Sequence, residues 1–371
     1  MAGSRRQRKL EQERKSQPIP ARREEQLLIP HLTSLKAERI LCRSLGRGQL
    51  AGCLASFNPE SLVDCHFLDV HYEALAREYW EEADHPPHII CSPDFPDEEY
   101  DAVCICVQKQ GDAELTRDLL QQGFLRLKEG GVFYSAVDAP QDRWLHEQMQ
   151  SLFPKVTRIP KKQGVIYSGI RKGDLKRIRS FDATFTFRWQ EREFVIKTRP
   201  GVFSHRRLDG GAWALIKSLN PKPGSRILEL GCGCGAVSLA AMHSAPGLQV
   251  TALDSHARAV QVTRENAQAN LDADQLVRFH VIHAQAGPQP RPYDVVLANP
   301  PYFSKYSIAR EFVRTAWKCL SITGELFIVT KSPEWFQEHL QEMFQNVNVI
   351  PQGEYAVVKA GRKTVWAGLE S

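Results

Sequence analysis

At 371 residues with 42% hydrophobic side chains, the chain has room for two ordinary domains, each able to bury its own core. The formal charge is only +5, no apolar run approaches the length of a bilayer span, and the N-terminus lacks a signal-peptide core, so membrane and secretory classes are set aside. Nine cysteines include Cys104-Ile-Cys106 and Cys232-Gly-Cys234 but no C-x-x-C pair, which argues against zinc or a disulfide framework and for reduced thiols in the cytoplasm.

In chain order, residues 1–28 read as a basic disordered tail. Its Arg5-Arg-Gln-Arg-Lys9 run is diluted by Glu11, Glu13, Glu24 and Glu25. Residues 29–170 read as a first α/β domain and 200–371 as a second, because the same landmarks recur in the same order. Arg39-Ile-Leu-Cys before Leu45-Gly-Arg-Gly48 matches Arg226-Ile-Leu-Glu before Leu230-Gly-Cys-Gly233. Leu68-Asp-Val-His matches Leu253-Asp-Ser-His, Tyr100-Asp-Ala-Val matches Tyr293-Asp-Val-Val, and Leu127-Lys-Glu-Gly-Gly matches Leu320-Ser-Ile-Thr-Gly. The first copy is degenerate. Ser44 stands near where an acid should precede the glycine turn, and Cys106-Val-Gln-Lys109 replaces Asn299-Pro-Pro-Tyr302. The expectation is a non-catalytic copy that supports the second domain or helps hold a large substrate; a Rossmann-like domain with its own ligand is the alternative.

Residues 171–199 read as a basic connector. From Lys155 to Arg199 the cations include Lys161, Lys162, Arg171, Lys172, Lys176, Arg177 and Arg179, against Asp174, Asp182, Glu191 and Glu193. Such a stretch suits a phosphate backbone at the mouth between domains, with Lys161, Lys162 and Arg177 as substrate contacts; a plain solvated connector is the blander reading. Next come Pro200-Gly-Val-Phe-Ser204 and Leu208-Asp-Gly-Gly211, placed to cover a cofactor or target base. Phe203 is the stacking candidate there and Asp209 the polar one, or both belong to a turn and core.

The second domain then alternates strand and helix. Residues 226–230 form strand one, 235–245 a helix, 249–253 strand two with Asp254 at its end, and a helix runs on to about 270. Strand three spans 277–282, strand four ends at Ala298, and a helix over 308–320 leads to strand five at 325–330. Residues 346–350 and 355–359 form a closing antiparallel pair, giving a seven-stranded doubly wound sheet. His283-Ala-Gln285 follows strand three, where an adenine-contacting acid is common, so no adenine contact is named.

Gly231, Gly233 and Ala236 with Asp254 fit a nicotinamide fold as well as a methyltransferase. Two features favour the methyltransferase. Glu229 precedes the turn where S-adenosylmethionine enzymes carry an acid facing the ammonium end, and Asn299-Pro300-Pro301-Tyr302 ends strand four. An exocyclic amine is a poor nucleophile because its lone pair is delocalised into the ring. The Asn299 side-chain carbonyl and a backbone carbonyl held by the Pro-Pro segment can accept both N–H groups and aim that lone pair at a sulfonium methyl. Tyr302 can stack on the base. Asn299, Pro300 and Tyr302 are therefore the catalytic candidates. Glu229, Gly231, Gly233, Gly235, Asp254 and Asn299 are the cofactor candidates, and Phe203, Pro301 and Tyr302 the base contacts.

With Pro-Gly-Val-Phe-Ser, Leu-Asp-Gly-Gly, Glu-Leu-Gly-Cys-Gly-Cys-Gly, Asn-Pro-Pro-Tyr and a degenerate first half, the chain resembles the 16S ribosomal RNA guanine-N2 methyltransferases and their large-subunit relatives. The resemblance implies two tandem Rossmann-like domains, S-adenosyl-L-methionine as cofactor, no metal, and ribosomal RNA or a ribosomal subunit as partner, with a monomer favoured. The family loop is usually Asn-Pro-Pro-Phe. Asn-Pro-Pro-Tyr also serves adenine-N6 and glutamine-N5 methyltransferases, which stay open, as does a non-enzymatic RNA-binding assembly factor.

Overall fold

The structure, a computed structural model, describes residues 19–285, 292–301 and 306–364. The first domain runs α1 (Arg23–Leu28), β1 (Arg39–Arg43), α2 (Gln49–Phe57), β2 (Leu62–Phe67), α3 (Val70–Trp80), β3 (His88–Cys91), β4 (Tyr100–Val107), α4 (Ala113–Arg126), β5 (Leu127–Val137), α5 (Trp144–Leu152), β6 (Val156–Lys161) and β7 (Gly164–Ile170). A hairpin of β8 (Ala183–Trp189) and β9 (Arg192–Thr198) follows. The second domain runs α6 (Gly210–Ser218), β10 (Arg226–Leu230), α7 (Ala236–Met242), β11 (Gln249–Asp254), α8 (Ala257–Asn270), α9 (Ala273–Val277), β12 (Phe279–His283), β13 (Tyr293–Ala298), α10 (Ser307–Cys319), β14 (Leu320–Thr330), α11 (Pro333–Leu340), β15 (Phe344–Gln352) and β16 (Tyr355–Arg362).

The two seven-stranded sheets have one topology. Their orders are β3-β2-β1-β4-β5-β7-β6 and β12-β11-β10-β13-β14-β16-β15, each closed by an antiparallel pair. Even single contacts repeat. The Arg39 amide donates to the Asp101 carboxylate at 2.8 Å, and the Arg226 amide to Asp294 at 2.8 Å. The central parallel strands β1, β4, β10 and β13 are apolar runs buried on both faces, as helix-covered parallel strands require. The chain order reverses between β10 and β13, and in open α/β sheets the ligand crevice lies at such a switch point, outside the strands' carboxyl ends.

Three boundaries drawn from the sequence move. The tail was expected to run to residue 28, but α1 packs on β5 and β7 with Leu27 and Leu28 in the first core. Glu25 is fully buried there, where it accepts the Ser44 hydroxyl at 2.6 Å, and Arg22 crowds Gly46. This segment therefore packs over the first copy's glycine turn. The connector expected over 171–199 ends earlier, because residues 183–198 are the hairpin. Phe187, Phe194 and Ile196 join the second domain's core. Asn266 and Asn270, one helical turn apart on α8, bond the Lys197 and Val195 backbone with N–H and C=O pairs of 2.8–2.9 Å, as a neighbouring strand would. Strand three starts at Phe279, not at Val277. Asp272 and Gln275 form a capping box that starts α9, and Val277 is the exposed last residue of that helix.

The domains meet through equivalent corners. Ala257 donates to the Leu68 carbonyl at 2.7 Å and Val70 to the Ser255 carbonyl at 3.0 Å, so the segments after β2 and β11 lie antiparallel. Arg258, fully buried, reaches from α8 to Asp118 at 2.5 Å, the Pro93 carbonyl at 2.7 Å and the Pro200 carbonyl at 3.0 Å.

Candidate active site

The site begins with the turn after β10. Gly231, Gly233 and Gly235 have φ of 69°, 56° and 80°, a left-handed run that side chains resist, and this swings the chain from β10 into α7. The turn spends its own amides. Gly231 and Cys232 donate to the Leu253 carbonyl at 2.8 and 3.0 Å, Gly233 to Asp254 at 2.8 Å and Gly235 to the Cys232 carbonyl at 2.9 Å. A pyrophosphate needs such amides free. With these four amides bonded and two acids beside it, the turn suits a cofactor with a cationic end better than a pyrophosphate.

Those acids are Glu229 and Asp254. Glu229 is 3% exposed, accepts from the Ser238 hydroxyl, and is pushed up to about 8 by burial, with the Asp254 charge adding to the rise. It lies beneath the turn and presents almost no surface to the crevice. Asp254 ends β11 and accepts the Gly233 and His256 amides at 2.8 and 2.9 Å; burial raises it to about 6. His283 turns its ring to the Ser255 carbonyl at 3.1 Å.

Across the switch point, Asn299 follows the last residue of β13. Its Nδ2 donates to Asp209 at 3.1 Å, while its Oδ1 is buried and has no hydrogen-bond partner among the described residues. Pro300 is buried and Pro301 half-buried beside it. Tyr302 lies outside the described residues.

A strap covers the turn. Residues 200–207 lie over it, so that a Cβ on Gly233 would stand 3.5 Å from the Phe203 carbonyl, and the Phe203 side chain is 54% exposed beside the crevice. Ser204 and Arg206 take left-handed φ of 65° and 77°, a strain of about 1–2 kcal/mol per residue that surrounding contacts must hold. The first domain supplies them. The Asp112 carboxylate accepts the Gly201 amide at 3.2 Å, and Glu114 engages Arg206 and, at 3.2 Å, His205.

The proposed phosphate contacts separate. Arg177 lines a trough of about 520 Å³ between the connector and helices α4 and α5, with Arg117, Lys172, Lys176 and Arg179. Lys161 and Lys162 lie elsewhere on the first domain, at the turn between β6 and β7. Sequence reasoning missed the pairing of Asp209 with Asn299 and the strap's dependence on α4. The Leu-Asp-Gly-Gly spelling, a helix cap followed by glycines, was the one local signal for the pairing. Among the described residues no cluster of His, Cys, Asp and Glu could hold a metal ion, and no helix is long and apolar enough to cross a membrane.

The family model described as the methyltransferase small domain matches residues 193–359. The match spans β9 and most of the second domain, which is similar to that family. The chain is 29% identical over 190 residues to the ribosomal RNA large subunit methyltransferase G of Psychromonas ingrahamii, covering 50% of each. It is 30% identical over 198 residues to the ribosomal RNA small subunit methyltransferase C of Cronobacter sakazakii, covering 52% of this chain and 57% of that one. The chain thus spans little more than half the length of the curated relatives it matches. Its two-domain fold is similar to that of the T. thermophilus 16S rRNA N2 G1207 methyltransferase RsmC in complex with AdoMet and guanosine, with a TM-score of 0.76 at 19% identity over 91% of both chains.

Proposed function

We propose that the chain transfers a methyl group from S-adenosylmethionine to the exocyclic N2 amine of a guanine in small-subunit 16S ribosomal RNA. The observation that carries this is the Asn299 Oδ1 just past the end of β13, buried and without a hydrogen-bond partner among the described residues. A buried carbonyl without a partner costs about 1–3 kcal/mol, and an amine donor entering the crevice recovers it. The names of the two relatives, a large- and a small-subunit rRNA methyltransferase, support RNA as the substrate. So does the trough, whose lining holds five Lys and Arg side chains and, among the described residues, one carboxylate, Asp174, itself paired with Arg171.

The cofactor supplies an electrophilic methyl on a cationic sulfur. Asp254 accepts ribose hydroxyls, Glu229 is the buried acid beneath the turn whose ionised form the cofactor's positive charge would favour, and Phe203 closes over the turn. Asn299 Oδ1 and the rigid Pro300-Pro301 backbone accept the amine's two hydrogens, which turns its lone pair out of conjugation. No strong base is needed, because the nitrogen becomes acidic as it is alkylated, and the rate comes from preorganised acceptors.

The test is incubation with methyl-labelled cofactor and small-subunit rRNA, followed by nucleoside digestion. Label in N2-methylguanosine is expected, and Asn299→Ala should lower turnover at least about 100-fold with cofactor affinity little changed. Label in N6-methyladenosine or in protein glutamine would replace the guanine reading. An Asn299→Ala enzyme with wild-type turnover would remove the loop from the mechanism.

A further inference from the structure

One oxygen of Asp209 accepts three N–H groups. The Gly211 and Ala212 amides reach it at 2.8 and 3.1 Å, capping α6, and Asn299 Nδ2 reaches it at 3.1 Å. An ionised carboxylate can only accept, so the atom that Asn299 turns toward it must be the NH2. The amide has one remaining polar end. Its Oδ1 is therefore the end not bonded to Asp209; it is buried beside Gly211 without a hydrogen-bond partner among the described residues.

Gly211 makes this pairing sterically possible. A Cβ there would stand 2.9 Å from Asp209 Oδ2, 3.0 Å from Asn299 Oδ1 and 3.2 Å from Asn299 Nδ2. The pair is also absent as a pair from the degenerate copy. The offset that relates Arg39 to Arg226 also relates α1 to α6 and puts Arg22 where the second copy has Asp209. The offset that relates Tyr100 to Tyr293 puts Cys106 in the place of Asn299. Neither member is retained without the other.

We infer that Asp209 is a positioning residue whose acceptor-only carboxylate locks the Asn299 amide with its carbonyl toward the base, making the site selective for a base that donates an N–H there. The inference rests on the reading of Asn299 as the amine acceptor. Asp209 touches no substrate atom. It acts by forbidding the flipped amide, which would present NH2 to an incoming amine and repel it.

Asp209→Asn separates this role from helix capping, because Asn caps a helix about as well as Asp but can offer either oxygen or NH2 to Asn299. The expected result is a fall in kcat of about tenfold or more, with cofactor affinity unchanged and Tm within about 2 °C of wild type. Binding of guanosine and inosine, which differ only in the N2 amine, gives the second readout. The wild-type preference for guanosine should shrink toward unity in the variant. Asp209→Ser, which also caps α6, repeats both measurements if the Asn variant folds poorly. If either folded variant keeps wild-type kcat and guanosine preference while Asn299→Ala is inactive, the inference fails and the functional reading stands. If kcat falls only in step with Tm in both variants, Asp209 is merely a cap and the inference also fails. Wild-type turnover by Asn299→Ala would instead overturn the reading beneath it.

Discussion

Glu114 of the first domain grips Arg206 of the second through two hydrogen bonds of 2.7 and 3.0 Å, one to each carboxylate oxygen. The Arg206 guanidinium holds the Glu114 carboxyl below its usual range. Arg206 sits in a left-handed conformation in the strap over the glycine turn, so the degenerate copy holds a loop that serves the other copy's crevice. The pair is half exposed and screened by water, and therefore weak. Glu114→Ala should raise the cofactor dissociation constant by no more than about fivefold, and added salt should erase the difference. Calorimetric titration at two salt concentrations checks this; a loss that persists in high salt would mean the strap is held by something else.

Arg258 is a different case because its side chain is 0% exposed. Truncating it leaves the largely buried Asp118 without its ion-pair partner, though still bonded by Gln122 at 2.9 Å, and it also removes the bonds to the Pro93 and Pro200 carbonyls. Arg258→Ala should cost roughly 3–5 kcal/mol and uncouple the domains. Scanning calorimetry should then show two unfolding transitions. A single transition at the wild-type temperature would show that the remaining contacts, among them the corner and the Glu114–Arg206 pair, fasten the domains without Arg258.

Gly211→Ala tests the space beside Asn299 without touching any polar group. The added methyl would stand at about 3 Å from both Asp209 and Asn299, closer than ordinary contact, so the amide has to shift. Turnover should drop by about tenfold or more with little change in cofactor affinity, because a misplaced acceptor acts chiefly in the transition state. Steady-state kinetics decide it, and an Ala enzyme with wild-type kcat would show that the amide tolerates displacement.

Glu229 links stability to pH. Burial raises its folded value to about 8, against about 4.3 in the unfolded chain. Between those values the folded state keeps a proton that the unfolded state gives up, so the contribution of Glu229 to stability declines as pH rises through that window and is constant outside it. Glu229→Gln does not titrate. The Tm of the variant minus that of the wild type should therefore increase from pH 5 to pH 8, and melts at unit pH steps without cofactor read it. A difference independent of pH would place the carboxyl in a more polar setting than its burial implies.

The local sequence determined the strand–turn–helix units, the repeat that copies them and the acid at the end of β11. Each of these is written in spacings of a few residues. Three glycines in five positions can close a left-handed turn, and apolar runs such as Val295-Val-Leu-Ala298 need burial on both faces. Once β10 and β13 are parallel neighbours, the carboxyl ends that carry the turn and Asn299 must share one crevice. Short-range pattern reading failed where charge masked packing. The acidic and basic letters around α1 looked like a tail, yet Leu27 and Leu28 fill a core. The basic run into β8 and β9 looked like a linker, yet alternate residues of the hairpin are buried.

Tertiary structure alone decided which polar groups meet. Asp209 and Asn299 are 90 residues apart, and Arg258 and Asp118 are 140 apart. No periodicity links such pairs, because each is brought together by the summed burial of two sheets and their helices rather than by its own attraction, which is worth only about 1–3 kcal/mol. The residue types proposed to hold the chemistry are therefore legible along the chain. The direction in which Asn299 points its carbonyl is set only when α6 docks against the end of β13.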